Sequence, residues 1–492
     1  MPITLKRIPV ALAVIAMLAA ACGTAGEVDT GSTATSADAP SDVEADSTAA
    51  ASETADDEPE ATTAAAEAAD ESSDEAMAEP EAEIPNCGTE NVTLKSTFES
   101  GFDLPFKLAE EFSRQFPHVE FDIDEAAFAY LINETPRLLS GDNPPDLIRL
   151  PTMVSFAKDG LLLNLDPYAE SFGWVGWPVP QLDQARVGDD GIRGAGTLYA
   201  AALNYSLTGV FYNKALAAQI GMTEPPQTLA EFEALLAEAK AQGLVPIMQW
   251  NALPSSGGLG FPLQHLMASL GPVEPLNDWV FQKPGATIVT PSNLKAAEHL
   301  ENWVKSEYFP SDLNAIQYFD SNSRFAQGEG VFTFNGDWQN AGYDADMGAN
   351  VGFFLFPPAE AGAPVASMSA PLTFGIAATA RNADCAAFFY HWIATNEIAR
   401  QIAVDVGGSN PGGPAELPVP PAAPGSVTNE TLAAGGAVNE AGTAMDFLAN
   451  ATSSILATAW TPELQKLAGG QTDAAGLLEA VQAQYEREVS GQ

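Results

Sequence analysis

Positive charge is scarce in this chain. Its 492 residues hold 20 Lys or Arg against 65 Asp or Glu, a formal net charge of −45. Nucleic-acid binding needs basic patches that take the place of phosphate counterions, so that class is excluded. Polyanionic substrates are disfavoured on the same ground. Histidine is nearly absent as well. His118, His265, His299 and His391 are scattered, with no two at metal-ligand spacing. There is no G-x-S-x-G elbow, no H-E-x-x-H and no glycine-rich phosphate loop ahead of a helix. We therefore expect no catalytic residue, no metal and no cofactor, although carboxylates are abundant enough to leave a glycosidase pair open. Cysteine is limited to Cys22, Cys87 and Cys385. The longest apolar run, Ile8–Leu18, is too short to span a bilayer at full thickness.

That run follows Lys6 and Arg7 and ends in "MLAAACG", the order of an export signal. The small-residue run closing on Cys22 resembles a bacterial lipobox, in which the cysteine thiol is lipidated and becomes the mature N-terminus. Ala19 stands where such signals usually carry leucine, with Leu18 one place further back. A plain secretory signal cut near Ala21 is the other reading. Residues 23–86 hold 19 Asp or Glu, no Lys or Arg and no aromatic residue. Such a stretch buries too little apolar surface to offset its ordering entropy, so it reads as a self-repelling tether. Residues 87–492 hold the other 46 acidic residues against 18 basic ones, a balance of −28. Export puts Cys87 and Cys385 in an oxidising compartment, where they either pair or stand as free thiols.

From Asn91 the pattern changes. "VTLKSTF", "HVEFDIDEA" and "PPDLIRL" read as strands, and "PFKLAEEFSRQFP" between the first two as an amphipathic helix. Alternating strand and helix predicts an α/β fold with a mostly parallel sheet. Further on, "TLAEFEALLAEAKAQG" carries a helical stripe, "LVPIMQW" reads as a strand, and the closing helix has Thr472 or Asp473 as its cap. In "GEGVFTFNGDWQNAG" a strand over Val331–Phe334 breaks at the turn signal Asn335-Gly336-Asp337, and Trp338 follows at once. A large ring there is either core under a loop or a wall for a flat ligand.

Six segments, in order, carry a resemblance: "GDNPPDLIRL", "FAKDGLLLNLDPY", "GTLYAAALNYSLTGVFYNKALAAQIGMTEPPQTLAEFEALLAEAKAQG", "FAQGEGVFTFNGDWQNAG", "LTFGIAATARNADCAAFFYHWIATNEIARQIA" and "LAGGQTDAAGLLEAVQAQYERE". Together they resemble the extracellular solute-binding proteins of bacterial ABC importers, in the sugar-binding branch, over about residues 91–492. The resemblance implies a two-lobed periplasmic-binding-protein fold of type II. Lobe one would be 87–203 and 371–406, and lobe two 204–370 and 407–492, after a signal peptide at 1–21 and a lipidated linker at 22–86. Hinge crossings would fall near Leu203, near Pro371 and at Gly407–Gly408. The implied protein is a monomer held to the membrane by lipid only. It takes a small solute, a mono- or oligosaccharide, to ABC permease subunits and does no chemistry. A secreted carbohydrate-active enzyme and a ligand-sensing lipoprotein for a signalling receptor are the rival classes. In relatives the segment ending at Cys385 returns beside the first strand, which implies a Cys87–Cys385 disulfide.

Sugar rings offer an apolar C–H face and a rim of hydroxyls, which aromatic rings and Asp, Asn, Gln or Arg match. Trp338 matches the family's stacking tryptophan. Asp337 before it is a turn-former or a rim ligand, and Asp146 either accepts sugar hydroxyls or only fixes its loop. Asn204, Tyr205 and Ser206 stand at the first crossing, where some relatives place a carboxylate and this chain has Ser206. Gln249, Trp250 and Asn251 form a polar-aromatic-polar triplet, with Trp250 expected to face ligand. Glu99, after the first strand, completes the set. Arg149 reads as a surface salt bridge, with a contact to an anionic ligand group as the other reading, and Trp174, Trp177 and Trp460 read as packing, with a place on the ligand rim as the other reading for Trp177.

Overall fold

A computed structural model describes residues 84–253 and 257–490; the export signal, Cys22 and the tether up to residue 83 lie outside the described residues. The alternating stretches form β1 (Val92–Glu99), β2 (Val119–Ala126) and β3 (Leu147–Arg149), which pair in parallel in the order β2-β1-β3. Between β1 and β2, the helix Leu104–Gln115 buries Leu104, Leu108 and Phe112, one stripe at four-residue spacing. Phe112 is the centre of an aromatic group, with the rings of Phe121, Phe389 and Trp392 edge-on to it at 6.2, 5.0 and 5.1 Å.

A hairpin of β4 (Arg186–Val187) and β5 (Thr197–Leu198) leads into the long strand β6 (Ala200–Asn213). Then come β7 (Phe332–Gly336), β8 (Val351–Phe354), β9 (Ser367–Gly375) and β10 (Ala444–Met445). β6 runs antiparallel to β7, β8 and β9, while β9 is antiparallel to β3 and parallel to β10. The chain is α/β as the alternation predicts, but its sheet is mixed rather than mostly parallel. The cause lies in β6 and β9, neighbours that run in opposite directions and so pair antiparallel. "LVPIMQW" is not a regular strand either, and makes a single bridge from Ile247 to Phe332.

Two hydrophobic cores result. One gathers Leu94, Phe98, Phe112, Leu147, Leu203, Phe374 and Trp392; the other gathers Leu207, Phe232, Trp279, Trp303, Phe334, Met368 and Leu478. β6 passes from the first to the second between Leu203 and Leu207, and its register with β9 shifts between Ala202 and Tyr205. An irregularity of that kind re-aims successive side chains, which lets one strand serve two cores. β9 crosses between Met368 and Phe374.

The third connection passes Gly408, whose φ is +66°; a Cβ there would lie 2.4 Å from the Asp337 carbonyl oxygen, so only glycine fits. The proline-rich stretch beyond it is clamped by Arg400. This buried guanidinium donates to the carbonyls of Ala394 (2.8 Å), Gly412 (2.5 Å), Leu417 and Pro418 (both 3.1 Å). Asp473 opens the last helix, Ala474–Ser490, by accepting from the Gly476 amide at 2.9 Å. A disulfide joins Cys87, ahead of β1, to Cys385 in the helix Ala383–Thr395. Among the described residues no helix is long and apolar enough to cross a membrane.

Candidate ligand-binding site

Parallel strands deliver their C-terminal ends to one edge of a sheet, and ligands of open α/β sheets gather there. On the first core that edge carries Glu99, which ends β1, and Arg149, which ends β3. Their side chains are nearly buried and form an ion pair, Nε to Oε2 at 3.3 Å. Arg149 Nη1 also donates to the carbonyls of Leu150 (2.6 Å) and Thr373 (3.2 Å). Arg149 is thus in a salt bridge as expected, but a buried one at the sheet edge rather than on the surface. Burial raises the Glu99 carboxyl above its ordinary value, and the Arg149 charge pulls it part of the way back.

Facing them is the helix Tyr318–Ala326, packed on the second core. A Cβ at Gly101, just past β1, would stand 2.7 Å from the Phe319 ring, so the two sides touch there. Tyr318 is held above its ordinary pKa, first by burial, with the nearby Glu99 charge acting in the same direction. Its hydroxyl accepts from Trp338 Nε1 at 2.7 Å and from Gln339 Nε2 at 2.8 Å. Trp338 is half-buried. Its ring folds back over Gly336, where any Cβ would meet it at 2.1 Å, and it lies edge-on to Phe261 at 6.2 Å. The edge therefore combines an ion pair from one core with a phenol, an amide and a partly open indole from the other. Such a set can stack on one apolar face and hydrogen-bond its rim.

The other expected residues divide into two groups. Asn204, Tyr205, Ser206 and Asp337 are brought together at the crossing of the cores. The Asn204 amide lies beside Gly407, the Tyr205 amide donates to the Asn410 carbonyl (2.8 Å) and its hydroxyl to the Gln181 carbonyl (3.0 Å). Asp337 is buried and lines a hinge cavity together with Tyr205 and Asn410.

The second group is structural. Asp146 immediately precedes β3, at the end away from Arg149, and accepts from the Lys95 amide (3.0 Å) and from both the amide and side chain of Asn382 (2.9 and 3.1 Å). It fixes its loop. Gln249 is fully buried and does the work of a missing strand: Nε2 donates to the carbonyls of Gly258 (2.9 Å) and Phe334 (3.1 Å), and Oε1 accepts from the Phe334 amide (3.1 Å). Trp250, expected to face ligand, is fully buried, edge-on to Tyr318 at 4.8 Å; it backs the site instead of lining it. Asn251 is buried and donates to Asn314 at 2.7 Å. Tyr318 and Gln339 carried no motif in the sequence. Glu99 and Arg149 were findable as a pair, since both close parallel strands at one sheet edge.

Among the described residues no cluster of His, Cys, Asp and Glu of metal-binding size is present. A search of curated proteins by sequence gives no match. Solved structures do match in fold. A chitin oligosaccharide binding protein superposes with a TM-score of 0.68 at 19% identity, covering 82% of this chain and 100% of its own. The maltose-bound MalE3 of T. maritima gives 0.63 at 17%, covering 80% and 99%. An ABC substrate-binding protein from Listeria monocytogenes in complex with cycloalternan gives 0.63 at 18%, covering 82% and 100%. These likenesses fix the two-lobed, type II binding-protein fold. Residues 99–400 match the family of bacterial extracellular solute-binding proteins, and the chain belongs to that family.

Proposed function

We propose that this protein captures a carbohydrate between its two cores and hands it to an ABC importer, without chemical change. The observation that carries the reading is the facing of Glu99–Arg149 on one core and Tyr318–Trp338–Gln339 on the other. A half-buried indole is a wall for the C–H face of a sugar, and the groups around it pair with hydroxyls. Fold neighbours whose names state chitin oligosaccharide, maltose and cycloalternan support a sugar, and an oligosaccharide among sugars. Binding without hydrolysis fits the carboxylates: Glu99 is held in an ion pair by Arg149 and Asp337 is buried.

In this reading lobe one is 87–203 with 371–406, and lobe two is 204–370 with 407–492. Ligand contacts to both lobes favour the closed form, which the permease subunits recognise. Cys22 carries the lipid, the acidic tether spaces the folded part from the membrane, and the protein works as a monomer. The test is a thermal-shift screen over neutral mono- and oligosaccharides. A ligand raises the melting temperature in step with its concentration, and the fragments expected of an enzyme do not form. A flat response across the whole panel removes the carbohydrate reading.

A further inference from the structure

One loop of the first core crosses to the second. The hairpin of β4 and β5 packs into the first core through Val187 and Leu198. From the loop between its strands, residues 188–196, the Arg193 amide donates to the Phe281 carbonyl at 3.1 Å. The Arg193 guanidinium stands 5.0 Å from the centre of the Phe281 ring, and its Nη2 donates to Asp446 Oδ2 at 2.7 Å. Phe281 packs against the second core, and Asp446 lies between Met445 and Phe447 of that core. The two charged side chains are 8% and 4% exposed. No other ion pair among the described residues links segments of different cores.

Both ends are held for this contact. Arg193 Nη2 also donates, at 2.7 Å, to the carbonyl of Gln184, beside first-core Ala185. Gly194 has φ +97°, and a Cβ there would stand 3.1 Å from the Phe281 ring, so glycine lets the loop lie on that ring. On the other side the Phe447 amide donates to Asp446 Oδ1 at 2.6 Å, and the Asp446 amide to Asn277 Oδ1 at 2.9 Å. Asn277 in turn donates to the Ala444 carbonyl at 3.1 Å. The pair is distinct from the ligand edge. Phe261 connects the two, its ring 6.2 Å from Trp338 and 5.2 Å from Phe447.

In the same arrangement the cores also meet at the ligand edge. Phe319 faces Gly101 there, and the helix Phe128–Leu139, which buries Leu139 in the first core, packs Phe128 and Ile132 against the second. We propose that loop 188–196 is a strap that holds the two cores shut, so that the cleft opens only when Arg193 and Asp446 part. Parting them leaves each buried charge without its counter-charge until water reaches it, the costly way to break an ion pair. The planar guanidinium is bound to carboxylate, carbonyl and ring at once, which fixes direction as well as distance. The shut arrangement is then the resting one before a ligand arrives, and opening governs entry and exit. The strap rests on the two-core geometry and not on which solute the cleft takes.

The experiment measures the distance across the cleft in the ligand-free mature protein. Nitroxide labels go on Glu125→Cys, near the end of β2, and Asp320→Cys, in the helix Tyr318–Ala326, both exposed positions. The Cys87–Cys385 disulfide keeps the native thiols out of the labelling. One short-distance population is expected with the strap intact. Asp446→Asn keeps the shape and loses the charge, and Arg193→Met loses the ion pair together with the carbonyl bond. Each should raise the ratio of long-distance to short-distance molecules at least about tenfold, the coupling of a close charge pair. Unchanged distances in either variant overturn the strap, as does a wild type that is already mostly long. If neither variant folds, amide exchange in the wild type decides. An Arg193 amide exchanging far more slowly than those of exposed Asp189 and Asp190 in the same loop supports the strap, and one exchanging at their rate overturns it.

Discussion

Arg149→Met removes one half of the ion pair at the sheet edge and leaves Glu99 buried without its counter-charge. The two carbonyls that Arg149 serves keep other partners: Thr373 Oγ1 donates to Leu150 O at 2.8 Å, and the Leu150 amide donates to Thr373 O at 3.0 Å. The cost therefore concentrates on Glu99. Breaking a buried pair costs about 3–5 kcal/mol when the remaining charge has no escape. Glu99 does have one, because it can take a proton. Placing a proton at pH 7 on a carboxyl whose unfolded value is 4.5 costs about 3.4 kcal/mol, and about 0.7 kcal/mol at pH 5. The penalty is thus capped near those figures. Its sign follows from linkage: a folded-state pKa raised above the unfolded one means that stability falls as pH rises above about 4.5, until the folded-state value is passed. Urea unfolding of wild type and Arg149→Met at pH 5, 6 and 7 measures it. Because Glu99 is raised in the wild type as well, the deficit should widen only above the wild-type folded value, by at most about 1.4 kcal/mol per pH unit, and adding Glu99→Gln should remove most of the pH dependence. A deficit that Glu99→Gln does not relieve refutes the assignment of the cost to Glu99.

Three further outcomes follow from other parts of the chain. Thiol labelling of the denatured, unreduced protein should find neither Cys87 nor Cys385 free, and reduction should lower stability by about 3–5 kcal/mol in the chain-entropy account; label at both sites without reductant contradicts it. Cys22→Ala should release the protein from the membrane or leave its precursor uncut, and a variant as processed and as membrane-bound as wild type ends the lipid-anchor proposal. His299 Nδ1 donates a 2.7 Å hydrogen bond to Glu233 Oε1, which raises its pKa above 6.5. Its contribution is present below pH 6.5 and lost as pH rises through the folded-state value, so a Glu233→Gln variant should flatten that part of the profile; with both side chains about one-third exposed (33% and 32%), the effect stays below ~1 kcal/mol.

Much of the fold was legible because periodicity reports burial. The Leu104, Leu108, Phe112 stripe and the β-branched alternation of β1 and β2 are direct consequences of one buried face per element. Sheet direction was not legible, since a strand that pairs antiparallel across two cores has the same local composition as one that pairs in parallel. The candidate site was half legible. Trp338 could be placed because the turn at Asn335-Gly336-Asp337 puts it at a strand end, and Gly336 is needed for the ring to fold back. Gln249, Trp250 and Asn251 were misplaced because a buried amide that bonds only to main chain looks, in sequence, like one that waits for a ligand. Tyr318 was invisible: its role rests on receiving Trp338 and Gln339 from another segment, which no local pattern records.

The central claim is that Trp338 is a ligand wall and not core. Trp338→Ala, measured for both melting temperature and affinity for the sugar found in the screen, tests it most directly. The ring is half-buried and gives up one hydrogen bond to Tyr318, so a loss of about 1–2 kcal/mol in stability is expected, short of a closed-core truncation. Affinity should fall by about 1–3 kcal/mol, roughly 5–150-fold, as for a buried aromatic contact. A loss of about 3–5 kcal/mol in stability with affinity unchanged in the folded protein contradicts the claim and makes Trp338 a core residue.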